Sequence, residues 1–266
     1  MTDPAHRPPI SAYIRTLNEE RMIANVVRAA LHAADEVVVI DSGSTDDTVA
    51  HAERAGARVI QHVWLGNGRQ KRLAEEACLH DWLLDVDADE IVSPELAEEI
   101  CALFAKSAPA CSIYRTDLAL VPPIGDPWLT FGRQKRHKLY DRRVIRQPDH
   151  DAWDQFEIPE GLLVGRLNAP IMHYAFTGTD QFVSKLNKHS SVRAYSLPLK
   201  TGPVLALRIV FGLPFYFAKK YFLQQYFRGG VYGFSLALTS AFGRWLKDVK
   251  MWERRKQKGG PDGENR

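Results

Sequence analysis

Trp82 to Glu90 reads WLLDVDADE, an apolar run that closes on carboxylates at alternate positions, Asp85, Asp87 and Asp89, with Glu90 beside them. Carboxylates so crowded repel one another, so a cation or a polar ligand is the natural reason to keep them together. Upstream, Glu36 to Thr48 reads EVVVIDSGSTDDT, a second β-branched run that also ends on an acid, Asp41, and passes through Ser42-Gly43-Ser44 into a helix start. Two strands thus deliver acids to one sheet edge.

Around these two runs, from Ile10 to about Ser112, short apolar stretches alternate with helical periods, the signature of βα units on a mostly parallel sheet. The expected strands are Ile10–Ile14, Val37–Ile40, Arg58–His62 and Trp82–Val86. The expected helices are Glu19–Ala34, Thr45–Ala55 opened by a capping box at Ser44 and Asp47, Gly68–Leu79, and one from Ser93-Pro94 to about Ala105. In such sheets ligands bind beyond the carboxyl ends of the strands, where Asp41, Asp85, Asp87 and Asp89 fall. Past Ser112 the pattern is less regular: a Pro-rich loop from Pro122 to Pro127, a basic run Arg133–Lys138, then a Pro159-Glu160-Gly161 turn followed by short strands.

At 266 residues, 45% hydrophobic and 25% charged, the chain can bury a full core as one large domain or one domain with an appendage. No basic region followed by an apolar one opens it, so a cleaved signal peptide is not expected. Cys78, Cys101 and Cys111 make no CxxC pair, which predicts buried thiols in a reducing compartment. The net charge of +3 conceals a polarity. Residues 1–100 carry 9 Lys/Arg against 19 Asp/Glu, whereas residues 181–258 carry 15 against 2. An acidic site suits metal ions, and a basic aromatic tail suits anionic partners. Val204–Ala218 and Gly229–Gly243 are apolar runs of about 15 residues, short of the ~20 that cross a bilayer as a helix. They predict a monotopic contact with an anionic membrane surface, the alternative being a helical subdomain that covers the sheet. Nucleic-acid binding is not expected, because Lys and Arg there are interleaved with apolar runs.

An EF-hand beginning at Asp85 needs Gly and Glu where the chain has Glu90 and Leu96, so that reading fails. No GxGxxG follows the first strand and no P-loop exists. A haloacid-dehalogenase-like phosphohydrolase also uses Asp-x-Asp after a strand, but Ala88 or Glu90 follows here in place of Thr or Val. What remains is an Asp-x-Asp that binds a divalent ion on a diphosphate, as Mg²⁺ or Mn²⁺ does.

Asn18-Glu19-Glu20, VVVIDSGSTDDT and DVDADE, in this order and spacing, resemble the family-2 glycosyltransferases of the GT-A fold. Val63–Gly66 through Gln70-Lys71, Leu139–Arg143, Pro159–Gly161, His173-Tyr174 and the basic aromatic C-terminal region resemble the lipopolysaccharide core β-1,4-glucosyltransferase branch. The resemblance implies a GT-A α/β domain over residues 1–180, with a nucleotide-sugar half at 10–112 and an acceptor half at 113–180. A basic, aromatic-rich helical region at 181–255 and a disordered tail at 256–266 follow.

It further implies an inverting enzyme that moves a hexose, expected to be glucose, from a UDP-sugar to a lipid-linked glycan at the cytoplasmic face of the inner membrane. By the same resemblance Asp41 contacts the base, Asp87 lies near the ribose, Lys71 meets the diphosphate, and Asp89 holds the metal, with His173 as a second ligand. Relatives place a His-Glu pair about five residues before the Pro-Glu-Gly turn. This chain has Trp153-Asp154 there, so Asp154 is the implied base, with Glu157 the alternative and a non-catalytic nucleotide-sugar-binding protein a further reading.

Overall fold

The computed structural model describes residues 9–105, 109–151 and 153–258. They form two compact units: one holds the described residues up to Val121 together with Gln134–Tyr174, and the other holds Pro122–Arg133 and the described residues from Ala175 onward.

The first unit is built on a sheet that has nine strands among the described residues. The apolar runs form β1 (Ile10–Thr16), β2 (Glu36–Asp41), β3 (Arg58–Gln61) and β4 (Trp82–Asp87), linked by helices α1 (Ile23–Ala30), α2 (Thr48–Arg54) and α3 (Asn67–Ala77). They lie parallel in the order β3-β2-β1-β4. After them come β5 (Glu90–Val92), α4 (Pro94–Phe104), β6 (Ile113–Leu120), β7 (Gln134–Asp141), β8 (Val164–Arg166) and β9 (Ile171–His173). The sheet continues β7-β6-β9-β5, with β8 on β6. β7 runs antiparallel to β4 and β6, and β9 runs parallel to β6 but antiparallel to β5. The expected parallel sheet is therefore its first half, and the second half is mixed.

Successive side chains of a strand point to opposite faces. Ala12, Ile14, Val39, Leu84 and Val86 pack with Ile23, Val27, Leu96 and Ile100 of α1 and α4. Tyr13, Val38, Ile40, Leu83 and Tyr140 pack on the other side with Ala74 of α3 and with Cys78, which follows it. Asp85 and Asp87 share the phase of Leu83, so both project toward α3.

Two helix starts move by three or more residues relative to the sequence expectation. α1 begins at Ile23 because Asn18 adopts a left-handed φ of 54° and its neighbours are used elsewhere. The Asn18 carboxamide oxygen accepts from the Thr45 amide, the Glu20 carboxylate accepts from the Asp47 amide, and the Glu19 amide donates to the Thr48 hydroxyl. Those same contacts hold residues 45–47 in the loop that closes on residues 18–20, and α2 starts at Thr48. The Ser44 hydroxyl makes no capping box; it donates to Asp41 at 2.5 Å. At α4, by contrast, Ser93 accepts from the Leu96 amide at 3.2 Å with Pro94 in the first turn, as expected. All three cysteines are free, but only Cys78 is buried, and Cys101 and Cys111 are half-buried. Burial, reinforced by Glu36, pushes the Cys78 thiol up to about 12.

The second unit contains α5 (Thr179–Ser196), α6 (Gly202–Ala218) and α7 (Gly230–Lys258). A π-helical turn at Lys219–Leu223 continues α6, so Gly202–Leu223 is one stretch of 22 residues, in which a window of 18 has mean hydropathy 1.3. It is long and apolar enough to cross a membrane by length and composition, which corrects the expectation of a run too short to do so. Lys256–Lys258, expected in the tail, are the last turn of α7. Residues 259–266 lie outside the described residues.

Candidate active site

The carboxyl ends of β1 and β4 meet in register, Arg15 opposite Asp87, and β1 pairs Thr16 with Asp41 of β2 on its other side. Arg15 is the junction. Its Nε donates to Asp87 at 3.2 Å, one terminal nitrogen donates to the Asn67 side chain at 3.1 Å, and the other donates to Asp154 at 2.8 Å. Lys71, on the inner face of α3, places its ammonium 2.7 Å from Asp85, 3.4 Å from Asp87 and 4.0 Å from Asp154. Lys138 of β7 lies 2.6 Å from Glu90 and 3.7 Å from Asp87. Burial opposes a charge on Asp87, yet Lys71, Lys138, Arg15 and His173 outweigh it and hold the carboxyl well below the usual range. Burial raises Glu90 above that range, because Lys138 offsets only part of it and Asp87 adds to it.

The segment that brings Asp154 here is held by backbone. The Asn67 and Gly68 amides at the start of α3 donate to the carbonyls of Asp151 and His150 at 2.6 and 3.0 Å. Gly66, at φ +102°, and Gly68 lie so near the backbone of His150 and Asp151 that a Cβ would not fit at either position. Glycine at both is thus what lets the backbone at Pro148, His150, Asp151 and Trp153 close on the start of α3.

Asp89 and His173 form a second cluster. The β5–β9 ladder pairs Glu90 with His173, and the Asp89 carbonyl accepts from the Tyr174 amide at 2.8 Å. This places His173 Nε2 3.6 Å from the Asp89 carboxylate. Burial works against charge on His173, but Asp89, Glu90 and Asp87 raise its pKa above the ordinary value. Among the described residues no set of three His, Cys, Asp or Glu side chains could enclose an ion. One carboxylate and one imidazole fit a hard cation that fills its shell with diphosphate oxygens and water, as Mg²⁺ and Mn²⁺ do at phosphate sites.

Glycosyl transferase family 2 is the family whose model matches this chain, over residues 11–157. The chain belongs to glycosyltransferase family 2. A glycosyltransferase of Rickettsia conorii whose function is uncharacterised is 34% identical over 92% of this chain and 90% of that one. The lipopolysaccharide core biosynthesis glycosyltransferase LpsC of Rhizobium meliloti is 29% identical over 96% of both. The structure of glucosyl-3-phosphoglycerate synthase from Mycobacterium tuberculosis with Mg²⁺ and UDP superposes over 42% of this chain and 44% of that one, at 28% identity and a TM-score of 0.35. The sheet and its flanking helices are the GT-A type that the sequence resemblance implied.

The fold brings together Lys71, Asp87 and Asp154 around Arg15, with Asp89 and His173 as a separate pair. Asp41 stands apart from the ion pairs. It is buried, and its carboxylate accepts from the Gly43 and Ser44 amides at 3.0 and 2.9 Å, closing the loop after β2. Glu157 is exposed, and Arg15 and Lys71 pair with Asp154 instead.

Arg15 and Lys138 were not among the sequence candidates, and Glu90 stood in the acidic cluster without a role of its own. A guanidinium at the end of the otherwise apolar strand ISAYIRT was a signal for the first. Lys138 is hidden in a run of basic residues along β7, where burial grows from exposed Gln134 and Lys135 through half-buried Arg136 and His137 to the buried half ending at Asp141.

Replacing Lys138 with Met would leave the Glu90 carboxylate, 1% exposed, without its partner. Urea denaturation should show a loss of roughly 3–5 kcal/mol at neutral pH. Glu90 then binds a proton more readily folded than unfolded, so the difference from the wild type should shrink as pH falls through its raised pKa. A difference independent of pH would mean that Glu90 is not the group left unpaired.

Proposed function

We propose that this family 2 glycosyltransferase transfers a hexose, glucose in the first instance, from a UDP-sugar to a lipid-linked glycan of the lipopolysaccharide core type, with inversion, at the cytoplasmic face of the membrane. The observation that carries the reading is the shared guanidinium of Arg15, which ties Asp87 of the strand-end acid cluster to Asp154. Donor-side and acceptor-side carboxylates thus stand on opposite arms of one cation. Three cations, Arg15, Lys71 and Lys138, face four carboxylates, Asp85, Asp87, Glu90 and Asp154. Cations already paired in this way leave little positive charge to meet a free diphosphate, which favours one that arrives with a divalent cation.

In this reading Asp87 faces the ribose, Asp41 the base side, and Lys71 the diphosphate. Asp89 and His173 would hold Mg²⁺ or Mn²⁺, which when bound neutralises charge on the leaving diphosphate. Asp154 takes the proton of the acceptor hydroxyl as it attacks from the side opposite the leaving nucleotide. Trp153, 43% exposed beside it, offers a face on which a sugar ring can stack. The acceptor class rests on the match to the Rhizobium meliloti protein over 96% of both chains, named for lipopolysaccharide core biosynthesis.

The test is release of UDP from UDP-glucose, UDP-galactose and GDP-mannose in the presence of lipopolysaccharide core fragments, with product linkage read by NMR. UDP-glucose consumption that requires the core fragment, with an inverted anomeric centre, is expected. Turnover of GDP-mannose alone, or retention of configuration, would contradict it.

A further inference from the structure

From Gly202 to Arg244 the chain holds five Lys or Arg and no Asp or Glu. Within this stretch α6 buries Leu205, Gly212 and Tyr216 and turns Val204, Leu207, Phe211 and Phe215 outward. The spacing of three, four and four residues places these four on one side of the helix. α7 repeats it with Val231, Phe234, Leu238 and Phe242, while Leu236, Ala237 and Ala241 are buried. All eight outward side chains are between 41 and 86% exposed. Phe222, Leu223 and Phe227, in the turns between the helices, are exposed as well.

The two helices pack antiparallel: the Trp245 indole donates to the Ile209 carbonyl at 2.9 Å, and the Phe217 and Phe234 rings lie 5.2 Å apart. Their polarity is inverted relative to a soluble hairpin. The charged group is inside, where Asp248, 0% exposed, accepts from Tyr216 at 2.9 Å and from Arg208 at 3.1 Å and pairs with Lys247 at 3.0 Å. The apolar side chains are outside.

We propose that the outward faces of α6 and α7 are the surface by which this protein lies on an anionic lipid leaflet, with their apolar side chains in the boundary between headgroups and acyl chains. The fit is one of charge as well as polarity. Lys219 and Arg228 are exposed beside these faces, and no carboxylate lies between Gly202 and Arg244, which suits phosphate headgroups. The same charges argue against a span. A transmembrane path for Gly202–Leu223 would carry Arg208 with its Asp248 partner into hydrocarbon, and Lys219 and Lys220 behind them. The helices therefore lie in the interface plane. The choice of leaflet rests on the lipid-linked acceptor proposed above, whereas the contact itself requires none of the catalytic residues.

The experiment is flotation of the full-length protein with phosphatidylglycerol/phosphatidylethanolamine vesicles and with phosphatidylcholine vesicles at low salt, alongside UDP-induced thermal shifts that report the donor site independently. The wild type should float with the anionic vesicles and be released by alkaline carbonate. Phe211→Ser/Phe215→Ser should lower the bound fraction about tenfold or more. Lys219→Glu/Arg228→Glu should lower it roughly fivefold per cation and abolish the preference for anionic lipid. Unchanged UDP shifts in both variants would show intact donor sites.

Four results would overturn the proposal: a wild type that ignores anionic vesicles, either variant binding as the wild type does, resistance to carbonate, which would make Gly202–Leu223 a span, or a Phe211→Ser/Phe215→Ser protein that changes only its self-association on a sizing column, which would make this face an interface between copies.

Discussion

Asp154→Asn is expected to lower sugar transfer by about 10²- to 10⁴-fold, the range that a positioned general base contributes, while UDP still binds. Asparagine keeps the size of the side chain and can still accept a hydrogen bond from Arg15, so the 2.8 Å contact survives in neutral form and the loop keeps its place on α3. What it cannot do is take up the proton of an acceptor hydroxyl. The side chain is partly exposed, at 28%, so an acceptor can reach it. UDP affinity should stay constant or rise, because Arg15 is no longer neutralised by a second carboxylate. The readout is kcat for transfer set against Kd for UDP by calorimetry. Transfer at the wild-type rate would remove Asp154 from the reaction and move the search to Glu157, which is exposed only three residues away.

Asp89→Ala is the second large effect. Loss of the carboxylate 3.6 Å from His173 should abolish the dependence of UDP binding on Mn²⁺. It should also lower turnover by about 10³-fold or more, since a Lewis acid supplies several kcal/mol to a leaving diphosphate. The fold should persist, because the backbone carbonyl of residue 89, not its side chain, is what accepts from the Tyr174 amide. Melting temperature and far-UV circular dichroism check that point. Metal-dependent turnover in Asp89→Ala would place the cation elsewhere, with Asp87 the nearest alternative.

The strands of the first hundred residues were legible because β1, β2 and β4 are largely apolar runs and acids stand toward the carboxyl ends of β2 and β4, so pattern and topology agree. Glu19-Glu20 reads as a helix start, yet the Asn18 and Glu20 side chains and the Glu19 amide serve the β2–α2 loop through Thr45, Asp47 and Thr48, contacts between residues nearly thirty apart that periodicity cannot register. β7 escaped for a different reason. QKRHKLYD reads as a basic surface run, and its place in the sheet follows from pairing with β4 and β6, which buries Lys138 against Glu90. Arg15 was legible in principle, but its partners, Asp87 and Asp154, lie 72 and 139 residues away and meet only in the folded chain. In the helical region neither Arg208 nor Pro214 ends α6, since Asp248 pairs with the former and a π-helical turn carries the helix on to Leu223.

Thermal unfolding of the wild type and of Asp89→Ala, with UDP, UDP-glucose and GDP, each with and without Mn²⁺, tests the donor site most directly, since a ligand that binds only the folded state raises the midpoint with its occupancy. A rise for the uridine compounds that requires Mn²⁺, is absent with GDP and vanishes in Asp89→Ala is the predicted result. No shift with any nucleotide, or an equal shift in Asp89→Ala, would contradict a metal-assisted UDP-sugar site at the ends of β1 and β4.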